Sequence, residues 1–312
     1  MLPPAGRARI EMTPDADRKR RSVAALLDRT TRTLREAGVE DARLNAELLL
    51  ADALGCSRSI LHAHPERRVP EQVRRQFAGL VRRRAAREPL QQLLGRWEFY
   101  GREFRVTPDV MVPRQETGLL VSACLDLLEP GAQAWAADIG TGSGVIGVTL
   151  AAERPTLHVV CTDSSAAALE VARRNAERHG VAERVLFAQG DLTRPVDGCL
   201  PAGREGVELV VSNPPYVPSG RIGTLAPEVR DHDPRGALDG GPDGLDVIRR
   251  IIPEAADLLL PGGHLALELG EDQAERVAAL LGSDGRFAME TLATRPDATG
   301  CARVLCIQKM RE

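Results

Sequence analysis

Ala134-Trp-Ala-Ala-Asp-Ile-Gly-Thr-Gly-Ser-Gly-Val-Ile-Gly-Val-Thr-Leu-Ala-Ala-Glu153 decides the fold. An apolar run over 134–139 meets three alternating glycines, and apolar residues resume at helical spacing over 143–154. The stretch reads as strand, tight loop and helix. Glycine lets the backbone turn sharply and lie close to a ligand. The helix start behind it offers unpaired N–H donors.

Working outward, strands are expected at 157–162, 184–189, 207–212, 264–269, 286–292 and 302–308, with helices at 165–179, 243–259 and 271–281. Such alternation predicts an α/β, Rossmann-like fold, a mainly parallel seven-stranded sheet covered on both faces. The last two strands have only a loop between them, Ala293 to Cys301, which predicts an antiparallel hairpin closing the sheet.

Ligands of open α/β sheets sit beyond the strand C-termini. Gly142-Ser-Gly144-Val-Ile-Gly147, with Asp163 downstream, satisfies the dinucleotide fingerprint in form. Asp138, two residues before Gly140, argues against it, because an anion beside a pyrophosphate is repulsive. The spacing suits a nucleoside carrying a cationic sulfonium and an ammonium group. Asp138, Gly140, Thr141, Gly142, Ser143 and Gly144 are therefore candidate ligand contacts. Asp163, ending the second strand, can accept two hydrogen bonds from a ribose diol or cap the next helix, as can Ser164 and Ser165. After the third strand, Asp191 can take an adenine amino group while Leu192 packs on the ring.

The fourth strand ends in Val210-Val-Ser-Asn213-Pro-Pro-Tyr216. Two prolines fix φ and donate no hydrogen bond, so carbonyls around them are left for a ligand. Asn213 adds a side-chain carbonyl and Tyr216 an aromatic face, which makes a slot for a planar N–H₂ group. An amide nitrogen is a poor nucleophile because its lone pair is delocalised. Acceptors on both N–H bonds return electron density as charge develops. Asn213, Pro214 and Tyr216 are the candidate catalytic residues, with Pro215 completing the substrate slot. Glu268, ending Leu265-Ala-Leu-Glu-Leu269, faces either the same cleft or solvent.

Residues 22–95 read as a helical domain. Ser22 caps a first helix that Gly38 stops, Ala42 to Leu54 is a second ended by Gly55, and Pro70 to Arg87 a third. Eight arginines between Arg67 and Arg87 form either a solvated helix face or a docking surface for an acidic or RNA-bound partner. Residues 96–112, with Trp97, Phe99, Tyr100, Phe104 and Val106 around Gly101, suggest a hairpin connector to a catalytic domain over 113–312. Residues 1–21, rich in Pro, Arg and Asp, read as a disordered leader, and Met12 offers an alternative start.

At 312 residues, 43% hydrophobic and 27% charged, the chain has ordinary globular composition. A net charge of −3 excludes a purely electrostatic nucleic-acid binder, and no apolar run reaches membrane-span length. None of the six cysteines forms a Cys-x-x-Cys pair, and His62-x-His64 has no third ligand in sequence. Reduced thiols, a cytoplasmic location and no metal are expected.

The chain resembles the protein glutamine methyltransferases that modify peptide chain release factors. The resemblance runs from about Ser22 onward, through Arg87-Glu-Pro-Leu-Gln-Gln-Leu-Leu-Gly95, Glu98-Phe-Tyr-Gly101 and Val112-Pro-Arg-Gln-Glu-Thr117. It continues through the Asp138 loop, Asp163 and Asn213 to Tyr216, then Glu228-Val-Arg-Asp-His-Asp-Pro-Arg235, Leu238-Asp-Gly-Gly-Pro-Asp-Gly-Leu245 and Asp297-x-x-Gly300-x-x-Arg303-Val304. Gln115 and Gly118 stand where the family usually has proline and glutamate, and Leu192 where it usually has an aromatic residue. The resemblance implies a class I methyltransferase sheet behind a helical recognition domain. It implies S-adenosylmethionine bound by Gly140 to Gly144, Asp163, Leu192 and Asn213, and a Gly-Gly-Gln glutamine held by Asn213 to Tyr216. The partner would be a release factor met by a monomeric enzyme, with no membrane and no direct nucleic-acid contact. A nucleic-acid amino-methyltransferase shares the Asn-Pro-Pro-Tyr tetrad but must extract its base and grip phosphates. A paralogue acting on another protein or a small amide is the other alternative.

Overall fold

In the computed structural model the structure describes residues 21–311. The expected leader lies, but for Arg21, outside these residues. The chain divides between Leu94 and Gly95 into two compact units.

The first unit is helical: α1 (Val23–Glu36), α2 (Ala42–Leu54), α3 (Arg58–Ala63), α4 (Glu71–Ala85) and α5 (Leu90–Leu94). Ser22 Oγ accepts the Ala25 N–H and opens α1, while Gly55 in the left-handed conformation closes α2. Leu26, Leu27 and Leu34 of α1 and Leu49 and Leu50 of α2 are buried at helical spacing. The arginine segment is not uniformly a solvated face. Arg84 is buried and donates to Asn45 Oδ1 at 2.8 Å. Arg83 pairs with Glu88, Arg74 and Arg75 pair with Glu71, and Arg87 donates to the Gly38 carbonyl. The same unit buries Glu47 under Arg43 and Arg58, each 2.8 Å away.

The second unit begins with the hairpin β1 (Arg96–Phe99) and β2 (Arg102–Arg105). Tyr100 and Gly101 both have positive φ, the two-residue turn that matches strand twist. Phe99 and Phe104 pack in the same core as Leu120 and Cys124 of α6 (Thr117–Leu127). Periodicity did not mark α6. Apolar nearly all round, it lacks the polar stripe that betrays a surface helix.

Beyond it come β3 (Ala134–Ile139), α7 (Val145–Glu153), β4 (Leu157–Asp163), α8 (Ala166–Arg178), β5 (Val185–Gln189) and β6 (Val207–Ser212). The unit finishes with α9 (Asp246–Leu258), β7 (Leu259–Glu268), α10 (Ala274–Asp284), β8 (Phe287–Pro296) and β9 (Ala302–Lys309). Strand order is β5-β4-β3-β6-β7-β9-β8, with β9 antiparallel to both neighbours and the remaining pairs parallel. Alternate residues feed two cores: Ala136, Leu209 and Val211 on one face, Ala137, Ile139 and Val210 on the other.

Two strand boundaries differ from expectation. β7 begins at Leu259, because Pro261-Gly-Gly is carried as an irregularity in the β6 pairing and not as a turn. β8 runs on to Pro296 through exposed Thr294 and Arg295-flanking positions, which look like loop in sequence. The joining loop shrinks accordingly.

Candidate active site

β3 delivers Asp138 and then Gly140, Gly142 and Gly144, all at positive φ. Asp138 is fully buried. Its Oδ2 accepts the Thr141 hydroxyl and the Gly147 N–H, the latter at 2.9 Å. Gly147, third glycine of the apparent dinucleotide fingerprint, serves packing: an added Cβ would lie 2.5 Å from Cys161 Sγ. Gly144 likewise faces Ala172, 3.0 Å from an added Cβ. Asp163 is stitched to the loop, its Oδ2 accepting the Gly142 N–H and its Oδ1 the Ser165 N–H, each at 2.9 Å. The cap of α8 is Ser165, whose side chain takes the Ala168 N–H.

Around this loop lies a cavity of about 340 Å³. Gly140 to Ser143, Asp163, Asp191, Leu192, Asn213 and Pro215 line it, with Val110, Pro113, Arg114, Thr117 and Pro234 from other segments. Asp138, Gly144, Pro214 and Tyr216 stand outside that wall. Asp191 lines the cavity with its carboxylate already paired to Arg250 at 2.5 Å. Leu192 takes a positive φ, and its carbonyl accepts the Thr162 hydroxyl at 2.9 Å.

At the other end, Asn213 is half-buried and its Nδ2 donates to Thr117 Oγ1 at 3.3 Å. Glu268, left open between cleft and solvent by its sequence, is buried with 3% of its surface exposed. Burial pushes its carboxyl up to about 7, against hydrogen bonding from Thr117 and Asn213. Its Oε2 has no hydrogen-bond partner among the described residues. A signal was present in the apolar residues Leu265, Ala266, Leu267 and Leu269 on either side of Glu268: apolar residues at successive positions, without alternation, mark a strand buried on both faces. Tyr216 backs the slot. Its ring lies against Gly270, its carbonyl accepts from Gln273 Nε2 at 3.0 Å, and burial pushes its phenol up to about 12.

Three further residues hold this geometry. Asn175 grips Ser143 O at 2.8 Å and both backbone groups of Arg105, tying the loop to the hairpin. Asp233 accepts the Val112 N–H and pairs with Arg114 at 2.7 Å, fixing the segment that leads to Thr117. Gln115 donates to the Glu98 carbonyl at 3.1 Å. Each joins elements distant in sequence, where local pattern carries no signal. Among the described residues no group of three or more His, Cys, Asp or Glu could hold a metal, and the six cysteines are free.

Residues 25–95 match the model described as PrmC N-terminal domain, and 116–226 the Methyltransferase small domain. A release factor glutamine methyltransferase of Geobacter sulfurreducens is 44% identical over 91% of this chain and 95% of that protein. One of Moorella thermoacetica is 42% identical over 92% and 98%, and one of Bradyrhizobium diazoefficiens 41% identical over 89% and 91%. The chain belongs to the release factor glutamine methyltransferase family.

Like its family, the chain is a methyltransferase with S-adenosylmethionine as methyl donor. The cavity fits that group. Asp138 Oδ1 is buried without a hydrogen-bond partner among the described residues, one residue layer behind Thr141. Its negative charge favours a cationic ligand over a phosphate. Bare backbone at Gly140 and Gly142, where an added Cβ would meet nothing within 4 Å, leaves room for close approach. No helix among the described residues is long and apolar enough to cross a membrane.

Proposed function

We propose that the chain methylates the side-chain amide nitrogen of the glutamine in the Gly-Gly-Gln motif of a peptide chain release factor, modulating translation termination. The observation that carries the reading is the disposition of Asn213: its Nδ2 is taken by Thr117, and its Oδ1 accepts no hydrogen bond from any described residue at the cavity wall. Bound S-adenosylmethionine supplies an electrophilic methyl group on a sulfonium. Asn213 Oδ1 and the Pro214 carbonyl take the two N–H bonds of the substrate amide and favour the charge that develops on nitrogen. Tyr216 sets the plane of the amide, and Pro215 bounds the slot. No residue must remove a proton first, since the nitrogen loses one readily after methylation. Gly140 to Ser143, Asp163 and Leu192 hold the nucleoside, with Asp138 and Gly144 supporting the loop from behind. Asp191 meets the adenine beside Arg250.

In this reading the helical unit, residues 22–95, recognises the factor, because the tetrad reads only the end of a side chain. The enzyme acts as a monomer in the cytoplasm without gripping nucleic acid. Mass spectrometry of an intact release factor incubated with enzyme and isotopically labelled cofactor tests this. A single labelled methyl on the Gly-Gly-Gln glutamine is expected. Methylation of a different amide, with every release factor left untouched, favours a paralogue substrate.

A further inference from the structure

The Asn-Pro-Pro-Tyr slot works only with its asparagine one way round. A side-chain amide has one acceptor end and one donor end. Only Oδ1 of Asn213 can take a hydrogen from a substrate N–H₂; turned over, Nδ2 would face another donor. Nothing inside the tetrad makes that choice, since the prolines donate no hydrogen bond. Two other elements make it. Thr117, opening α6, receives Asn213 Nδ2 on its hydroxyl oxygen at 3.3 Å. Glu268, the last residue of β7, is buried with its Oε2 unpartnered among the described residues, and the Thr117 and Asn213 side chains lie near enough to favour its charged form against the burial that opposes it. An ionised carboxylate accepts only. Ionised, Glu268 can accept the hydroxyl hydrogen of Thr117, which leaves the threonine lone pairs to Nδ2 as seen in the Asn213–Thr117 bond, and its charge attracts the amide hydrogens of Asn213.

Resting on the methylation reading above, we infer that Glu268 is a positioning residue which, when ionised and acting with Thr117, holds Asn213 with Oδ1 toward the reacting nitrogen. Protonated, the same carboxyl carries a hydrogen that can go to Oδ1, and the amide loses its preferred sense. The surroundings place this exchange in the working range. Burial disfavours the charged form, and the bonds from Thr117 and Asn213 oppose it. Glu116 at the start of α6 repels the carboxylate, Arg303 on β9 attracts it, and Tyr216 from the loop after β6 lies close enough to feel its charge. The balance sits at about 7. Because the productive form is the ionised one, turnover increases as pH rises through that value.

The test combines kinetics on an intact release factor with NMR of the Asn213 side-chain amide, from about pH 5.5 to about pH 8.5 so as to bracket the titration. Wild-type kcat is expected to rise with an apparent pKa near 7. Glu268→Gln can present either a donor or an acceptor, so kcat should fall roughly tenfold and the rise near neutrality should vanish. KM for the release factor and cofactor affinity should stay within about twofold, because substrate and cofactor contacts remain. Glu268→Asp should keep a pH-dependent rise at reduced kcat. Asn213 side-chain resonances should titrate with the same apparent pKa in the wild type and not in Glu268→Gln. Wild-type kcat and profile in a Glu268→Gln variant that binds cofactor would overturn the inference. So would wild-type Asn213 resonances that do not move with pH, and that measurement decides alone if the Gln variant does not fold. If no release factor is methylated at any pH, the methylation reading fails, while the Asn213 titration still decides the role of Glu268.

Discussion

At the glycine-loop end of the cavity, where the nucleoside is proposed to bind, both carboxylate oxygens of Asp163 are bonded to backbone N–H groups, and Leu192 is pinned through its carbonyl to Thr162. At the Asn213 end, proposed to hold the substrate amide, Glu268 keeps one oxygen unpartnered in the interior, and Asn213 leaves its acceptor unclaimed by any described residue. Apart from Asp138 Oδ1, which is buried without a partner among the described residues behind the loop, the first end is already hydrogen-bonded. Those hydrogen bonds fix the shape of the loop. The second end retains polar capacity, which folding opposes because buried groups without partners lose hydration uncompensated. Such capacity is useful where charge develops during a reaction, as preorganised dipoles need not reorient.

The largest effect should come from breaking the second end. Asn213→Ala removes an acceptor that works mainly in the transition state, and kcat should drop by about 10²-fold or more. Near-normal turnover in a folded variant would remove Asn213 from the chemistry.

Breaking the first end should act on binding. Asp163→Ala deletes the anchor of the Gly142 and Ser165 N–H groups together with the acceptor proposed for the ribose. Cofactor affinity by calorimetry should weaken by roughly 1.5–3 kcal/mol. A variant that binds normally would show the loop to be set by its glycines alone.

The smallest effect sharpens the contrast through stability. Asp138 is pushed up to about 6 from 3.8 and Glu268 to about 7 from 4.5, both chiefly by burial. The folded state therefore holds these protons more tightly than the unfolded chain. This contribution is complete below the unfolded values and is lost as pH rises through the folded ones, so stability should decline between about pH 4 and about pH 7 on their account. The Glu268 shift corresponds to about 3 kcal/mol. Glutamine still buries a polar amide, so Glu268→Gln should gain about 1 kcal/mol at pH 8, and the gain should disappear near pH 5. Thermal unfolding at the two pH values measures it.

Legibility follows the same division. The glycine loop, Asp163 and the strand–helix alternation were readable because each rests on neighbours in sequence: a turn needing positive φ, a strand end, a period of two giving way to 3.6. The amide end was half readable. Asn213-Pro-Pro-Tyr216 suggested an acceptor slot, but Thr117, which takes the Asn213 amide, and the buried Glu268 come from α6 and β7, and only the folded sheet brings them near. Arg84 shows the limit of composition. Among arginines spaced as a solvated face, it turns inward because Asn45 of α2 offers it an oxygen. Pro261-Gly-Gly, before the strand expected at 264–269, lies inside β7, where the ladder with β6 shifts register.

The strand order has a consequence for how this domain comes into being. β9 follows β8 in sequence yet lies between β7 and β8 in space. A nascent chain that has emerged only as far as Thr299 possesses β8 with no strand to receive it, and the Leu265 to Glu268 edge of β7 is bare on the side that Val304 to Ile307 will occupy. Glu268 is the final residue of that unzipped edge. The order predicts that the β7 edge beside Glu268 stays unpaired until β9 is synthesised and inserted. Mutations that slow the insertion of β9 will expose an apolar edge to other chains and deplete active enzyme without touching a single residue of the cavity.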